Sequence, residues 1–161
     1  MRCVLFYHSL VSDWNNGNAH YLRGVVSELL TRGHDVRVYE PCLGWSRCNL
    51  LAQQGTAPLA WFAGAYPGLQ STLYAGEALD LDMALSGADL VIVHEWNEPA
   101  LVGRIGDWVA AQRTMGDAPL LFFHDTHHRV VSEPETMAAY DLRAYDGVLA
   151  FGRVVHDRYL A

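Results

Sequence analysis

The feature that most constrains this chain is an alternation of short apolar runs with longer segments of helical periodicity. Apolar runs rich in β-branched and aromatic residues recur at Cys3 to Tyr7, Val36 to Tyr39, Leu90 to Val93, Leu120 to Phe123 and Val148 to Phe151, each followed by polar residues. They read as strands buried on both faces. Between the first two lies a segment from Asn18 to Arg32 in which Leu22, Val25, Val26, Leu29 and Leu30 fall on one helical face. Gly33 comes next, where a left-handed cap is needed. A second helix is predicted from Pro99 to Arg113, with Leu101, Val102, Ile105, Trp108 and Val109 on one side and Gly116 just past its end. Parallel neighbours cannot be joined by tight turns, so strand and helix in alternation predict right-handed crossovers. The predicted class is α/β, a Rossmann-like, doubly wound, mostly parallel sheet flanked by helices.

The stretch from Gly44 to Gly87 is the least readable. Ser46 is placed to cap a helix over Arg47 to Gln53, while Pro58, Gly64, Pro67, Gly68 and Gly76 interrupt the residues after that helix, and an edge strand is expected near Ser71 to Tyr74. No repeat or linker divides the chain, so its 161 residues, 51% of them hydrophobic, read as one domain. The segment from Val154 to Ala161 is helical in character and carries no stop signal, the pattern of a helix that continues beyond the sequence.

A net charge of −7 and scattered cations leave no basic surface for nucleic acid or anionic lipid. Cys3, Cys42 and Cys48 form no C-x-x-C pair, which favours a reducing compartment over a disulfide framework. Neither a signal-peptide core nor a membrane span is legible, and a cytoplasmic protein is the expectation.

In an open parallel sheet, ligands bind beyond the carboxyl ends of the strands, where strand order reverses. The polar residues obey that rule. His8 comes after the first strand; His94, Glu95, Trp96 and Asn97 come after the fourth; His124, Asp125, Thr126, His127, His128 and Arg129 come after the fifth. As general bases the candidates are His124, Asp125 and Glu95. His8, His94, Trp96, Asn97, His127, His128 and Arg129 are candidates for substrate binding. The competing account makes them strand caps and a solvated loop whose Asp125 caps its own turn.

Trp14-Asn15-Asn16-Gly17-Asn18 joins the first strand to the first helix, and contains neither G-x-G-x-x-G nor a P-loop. Gly17 and Asn18 could bring backbone N–H groups at the helix start to a polar ligand atom. No cofactor is called for. Trp14 and Trp96 could stack on a sugar ring, whereas Trp45, Trp61, Tyr66 and Phe62 read as core or lid packing. The histidine density raises a metal-dependent hydrolase built on His94, His124, His127 and His128, but the spacing matches no metal motif and no metal site is assigned. Asp80-Leu81-Asp82 reads as a turn entering a helix rather than a metal-binding D-x-D.

Taken in order, these elements resemble the bacterial GT-B glycosyltransferases, in particular the spore-maturation glycosyltransferase-like branch. The resemblance rests on the Asn/Gly-rich turn, Arg32-Gly33-His34-Asp35-Val36, the stretch Ala88 to Asn97, Phe123-His124-Asp125-Thr126-His127-His128-Arg129 and the stretch Tyr145 to Gly152. It implies one half of a GT-B fold: residues 1–161 as the amino-terminal, acceptor-side Rossmann-like domain, with a carboxyl-terminal donor domain absent from this chain. It implies transfer of a sugar from a nucleotide-sugar donor to an unidentified acceptor, with His124 reaching the donor sugar and the fragment alone inactive. A non-catalytic Rossmann-like binding module is the third reading.

Overall fold

Strands apolar on both faces need a cover on each side, and the chain supplies it. The computed structural model describes residues 1–14, 17–127 and 129–160. Six strands, β1 (Arg2–Phe6), β2 (Asp35–Pro41), β3 (Thr72–Tyr74), β4 (Leu90–His94), β5 (Leu120–Asp125) and β6 (Gly147–Ala150), form one sheet in the order β3-β2-β1-β4-β5-β6. Every pairing is parallel. The chain thus winds outward from β1 in one direction to β3 and from β4 in the other to β6, a Rossmann-like doubly wound fold.

Alternation along the strands sends successive side chains to opposite covers. Leu5, Tyr7, Val38 and Ile92 pack with Leu22 and Val26 of α1 (Asn18–Thr31). Val4, Phe6, Val91, Val93, Leu121 and Phe123 pack on the other face against Leu101, Val102, Ile105 and Val109 of a later helix (Pro99–Met115). Gly33 and Gly116 adopt φ of 78° and 81°, the left-handed geometry expected just past each of these two helices.

The middle region departs from expectation. Helix α2 (Trp45–Gln54) begins before Ser46, and Gly44 stands at its N-cap; the Ser46 hydroxyl instead donates to Ser12 O and accepts from Trp14 N. Helix α3 (Ala57–Ala65) fills a stretch expected to be interrupted by proline and glycine, because Pro58 sits in its first turn, where a missing N–H is harmless. Phe62 is core, as expected, whereas Trp45 and Trp61 are exposed. After the short edge strand β3 comes α4 (Leu81–Leu85), capped by Asp80 accepting from Met83 N, while Asp82 accepts from Trp108 Nε1. The helix from Pro99 is α5; α6 (Arg129–Ser132), α7 (Pro134–Met137) and α8 (Arg153–Leu160) complete the fold. The last strand stops at Ala150, leaving Phe151 exposed. No helix among the described residues is long and apolar enough to cross a membrane.

Candidate functional site

Parallel register gathers the strand-end residues. His94 and His124 are paired neighbours on β4 and β5, so their side chains leave the same face of the sheet, the face covered by α1. Their rings meet edge to face at 5.2 Å, and Tyr7, one residue beyond β1, lies 6.1 Å from the first and 6.4 Å from the second. His8 stacks at a tilt on His94 at 4.8 Å. All four are buried.

Thr126 knits this cluster together. Its hydroxyl lies 3.0 Å from His94 Nε2, accepts from Asn18 Nδ2 at 3.0 Å and donates to Glu95 Oε1 at 3.2 Å. Glu95 Oε2 lies 2.7 Å from His94 Nδ1, close in distance but too poorly aligned for a good hydrogen bond, and meets no other donor among the described residues. The close approach resembles an ion pair, yet the electrostatics favour a neutral one. Burial lowers the His94 pKa to about 3. Burial also raises that of Glu95 to about 7 against the opposing pull of His124 and the Thr126 hydrogen bond. Below neutral pH the proton therefore resides on Glu95, facing an unprotonated Nδ1 that also takes the Trp96 N–H at 3.4 Å. His94 then carries its own hydrogen on Nε2, toward Thr126. This placement satisfies every contact of the Thr126 hydroxyl, with two hydrogens accepted and one donated.

His124 is neutral as well, held down to about 4 by burial first and by His94 second, with Glu95 opposing. Among the described residues its Nδ1 is buried without a hydrogen-bond partner, and so is the Tyr7 hydroxyl. Unpaired polar atoms in a protein interior cost about 1–3 kcal/mol each. Here they converge at the strand ends beside the β1–β4 switch point.

Asp125 is the candidate base that lies apart. It comes after His124 on β5 and points to the opposite cover, where Oδ2 accepts from Tyr159 of α8 at 2.9 Å and Oδ1 accepts from His127 N at 3.1 Å. Its pKa is raised, chiefly by burial and then by Glu95. The turn cap weighed from the sequence is thus present. Asn97 also has its polar atoms engaged: Nδ2 donates to Phe6 O and His94 O, both at 2.8 Å, and Oδ1 accepts from Tyr74 at 2.7 Å, tying three strand ends together. Gly17 is exposed in right-handed helical geometry with open space where a Cβ would project, so among the described residues no neighbour demands glycine. Arg129 stacks on Trp96 at 4.8 Å and reaches Glu95 O at 3.4 Å, and the His127 ring lies 5.7 Å from Trp96. His128 lies outside the described residues, as do Asn15 and Asn16 of the turn. Among the described residues, no three His, Cys, Asp or Glu side chains are disposed to hold a metal ion.

Sequence reasoning missed the scaffold of the β1–α1 loop. Glu40, fully buried at the end of β2, accepts from Val11 N at 3.1 Å and from the hydroxyls of Ser12 and Ser71. Arg23 donates to Leu10 O at 2.8 Å, pairs with Asp13 at 3.3 Å and lies over the Phe62 ring at 4.7 Å. Both ionisable residues sit in apolar stretches, and that oddity was the available signal.

A cleft of about 340 Å³ opens on the same edge, between Pro41–Trp45, Tyr74–Gly76 and Trp96–Leu101. A smaller hollow of about 70 Å³ shares Pro41, Gly44, Trp45 and Trp96 with it and extends to His8. Comparison of the chain with protein-family models, with curated proteins and with solved structures finds no match in any of the three.

Proposed function

We propose that this chain is the acceptor-side unit of a GT-B type glycosyltransferase, which moves a sugar from a nucleotide-sugar donor to a hydroxyl-bearing acceptor. The observation that carries the reading is His124. A neutral imidazole with an unused buried nitrogen stands at the carboxyl end of β5, against a second neutral imidazole at the switch point. Glycosyl transfer requires an acceptor hydroxyl to be held and relieved of its proton as positive character grows on the donor sugar. A neutral imidazole suits the first task near pH 7, since it can accept the hydroxyl's hydrogen bond, whereas a pKa of about 4 leaves it a weak base for the second. Glu95, which titrates near neutrality, adjusts the charge behind it. The leaving diphosphate needs a cationic or helix-dipole clamp, and Arg129, spent on Trp96 and Glu95 O, supplies little of it. The donor is therefore assigned mainly to a second domain, and this chain alone is expected to be inactive.

Calorimetry against simple glycosides and against UDP-, GDP- and ADP-linked sugars tests the reading. Measurable heat with glycosides, weak binding of the nucleotide sugars and no turnover are expected. Release of sugar from a nucleotide donor by the chain alone would contradict it, as would tight binding of nucleotide with no response to any glycoside.

A further inference from the structure

We infer that the cleft walled by Trp45 and Trp96 is an uncharged-pyranose subsite. The inference rests on the transferase reading for the identity of the sugar as acceptor, but its geometry stands apart from His124. Two large aromatic side chains, 62% and 43% exposed, face a concavity of about 340 Å³, the lower end of the range for small-ligand sites. Neither is a loose surface residue. Trp45 is braced edge to face by Trp14 at 4.7 Å, and Trp14 is itself fixed by Nε1 donating to Gln53 at 3.0 Å. Trp96 is held by the Arg129 guanidinium and by the rings of His8 and His127, none of which lines the larger cleft. The backbone between the walls is closed into a turn by Gly44 N donating to Pro41 O at 3.0 Å, and the approach is too close for a Cβ, which would meet Pro41 Cγ at 2.9 Å. Indole rings braced in this way yet still exposed along the cleft offer the flat apolar surface on which the C–H face of a pyranose stacks.

The lining selects among ring ligands. Among the described residues it contains no Lys or Arg, and its one charged side chain is Glu98. A phosphate-bearing nucleotide would find no cationic side chain and one repulsive carboxylate, with only the partial positive charge of the α2 N-terminus to offset it, whereas a neutral sugar finds a hydroxyl acceptor in Glu98 and donors in the first-turn N–H groups of α2 behind Gly44. The smaller hollow toward His8 supplies direction. A pyranose stacked on Trp96 points one edge along it, toward the histidine cluster, which makes this the resting place of the sugar that presents the reacting hydroxyl.

Saturation-transfer NMR and calorimetry on the intact chain test the assignment, with a panel of methyl pyranosides as probes and uridine monophosphate as the charged control. At least one pyranoside binds, uridine monophosphate does not compete, and Trp45→Ala and Trp96→Ala each weaken binding tenfold or more while their circular dichroism and melting temperatures stay near those of the parent. Trp61→Ala, which removes an exposed tryptophan away from the cleft, leaves binding unchanged. Pyranoside binding indifferent to both cleft variants overturns the subsite and leaves the transferase reading standing. Competition by uridine monophosphate that depends on the same tryptophans also overturns it, in favour of a nucleotide pocket. Absence of binding by every pyranoside overturns both.

Discussion

Thr126 is one hydroxyl serving three polar neighbours, and this makes it the most informative single position at the strand ends. Removing it isosterically as Thr126→Val leaves Asn18 Nδ2, His94 Nε2 and Glu95 Oε1 each without this partner, and a loss of about 2 kcal/mol is expected by urea denaturation. Thr126→Ser, which keeps the hydroxyl, should recover most of it; a serine variant as unstable as the valine would show that packing of the methyl group dominates. The imidazoles make a second prediction through pH. His124 has its pKa lowered to about 4 in the folded protein, below the ordinary value of 6.5. Between those values the unfolded chain binds the extra proton and the folded chain does not. The stability tied to neutral His124 is therefore fully present above pH 6.5 and drains away as pH falls toward 4. Glu95 works in the opposite sense: with its pKa raised to about 7, its contribution is present at low pH and is lost as pH rises through neutrality. A direct comparison isolates the histidine. His124→Gln cannot titrate, so the urea midpoint of the parent should fall toward that of the variant, or below it, between pH 7 and pH 4.5. A gap that stays constant over this range would mean that His124 is not held neutral by burial.

At the scale of elements, the carboxyl edge is shaped by ties between strand ends more than by the helices that cover the sheet. Asn97 joins the ends of β1 and β4 to Tyr74 on β3, and the three residues it serves are all buried. Asn97→Leu, similar in volume, leaves Phe6 O, His94 O and the Tyr74 hydroxyl buried without this amide, and a loss of about 3 kcal/mol in chemical denaturation is expected. A loss below about 1 kcal/mol would mean that water reaches the strand ends and the amide is dispensable. Such ties also mark how far the sequence could be read. The five longer strands and the two main helices were legible because their signals are local: apolar runs, a 3.6-residue period, and glycine just past each helix end. The convergence of His94 and His124 was legible because parallel topology constrains strand ends to one edge. The opposed directions of His124 and Asp125 come from alternation along a strand, once both residues are known to lie within β5. The features that stayed hidden depend on distant partners. Glu40 holding the loop at Ser12, Arg23 reaching Leu10 O, and Asn97 meeting Tyr74 span separations that no periodicity encodes. Helix α3 stayed hidden because Pro58 reads equally as a breaker or as a first-turn residue, and only the packing of Phe62 against the α1 face decides.

On the scale of the whole molecule, the histidine cluster lies between two unlike shoulders. On the β2–β3 side is the tryptophan-walled cleft. On the other, the sheet runs out at β6 and its α1 face is thinly covered: Leu149, the register neighbour of His124, and Phe151 just beyond are both exposed, and Phe151 meets Tyr21 of α1 at 6.0 Å. The opposite face of the same strands is sealed, with Phe123 and Val148 packed among Tyr140, Tyr145 and Tyr159. The asymmetry arises from connectivity, because the segments after β5 fold over the α5 side and leave α1 as the cover nearest His124 on its own side. A contiguous exposed apolar patch of this kind recruits hydrophobic dyes even in a native protein. The folded chain should therefore enhance anilinonaphthalene sulfonate fluorescence at pH 7, and Phe151→Ser combined with Leu149→Thr should reduce that signal by half or more. Both side chains are largely outside the core, so the melting temperature should move by only about 2 °C, consistent with surface replacements worth roughly 0.5 kcal/mol. A collapse in stability would place Phe151 and Leu149 in a core that extends past β6, whereas an unchanged dye signal would move the exposed apolar surface to the tryptophan cleft, where methyl pyranosides should then displace the dye.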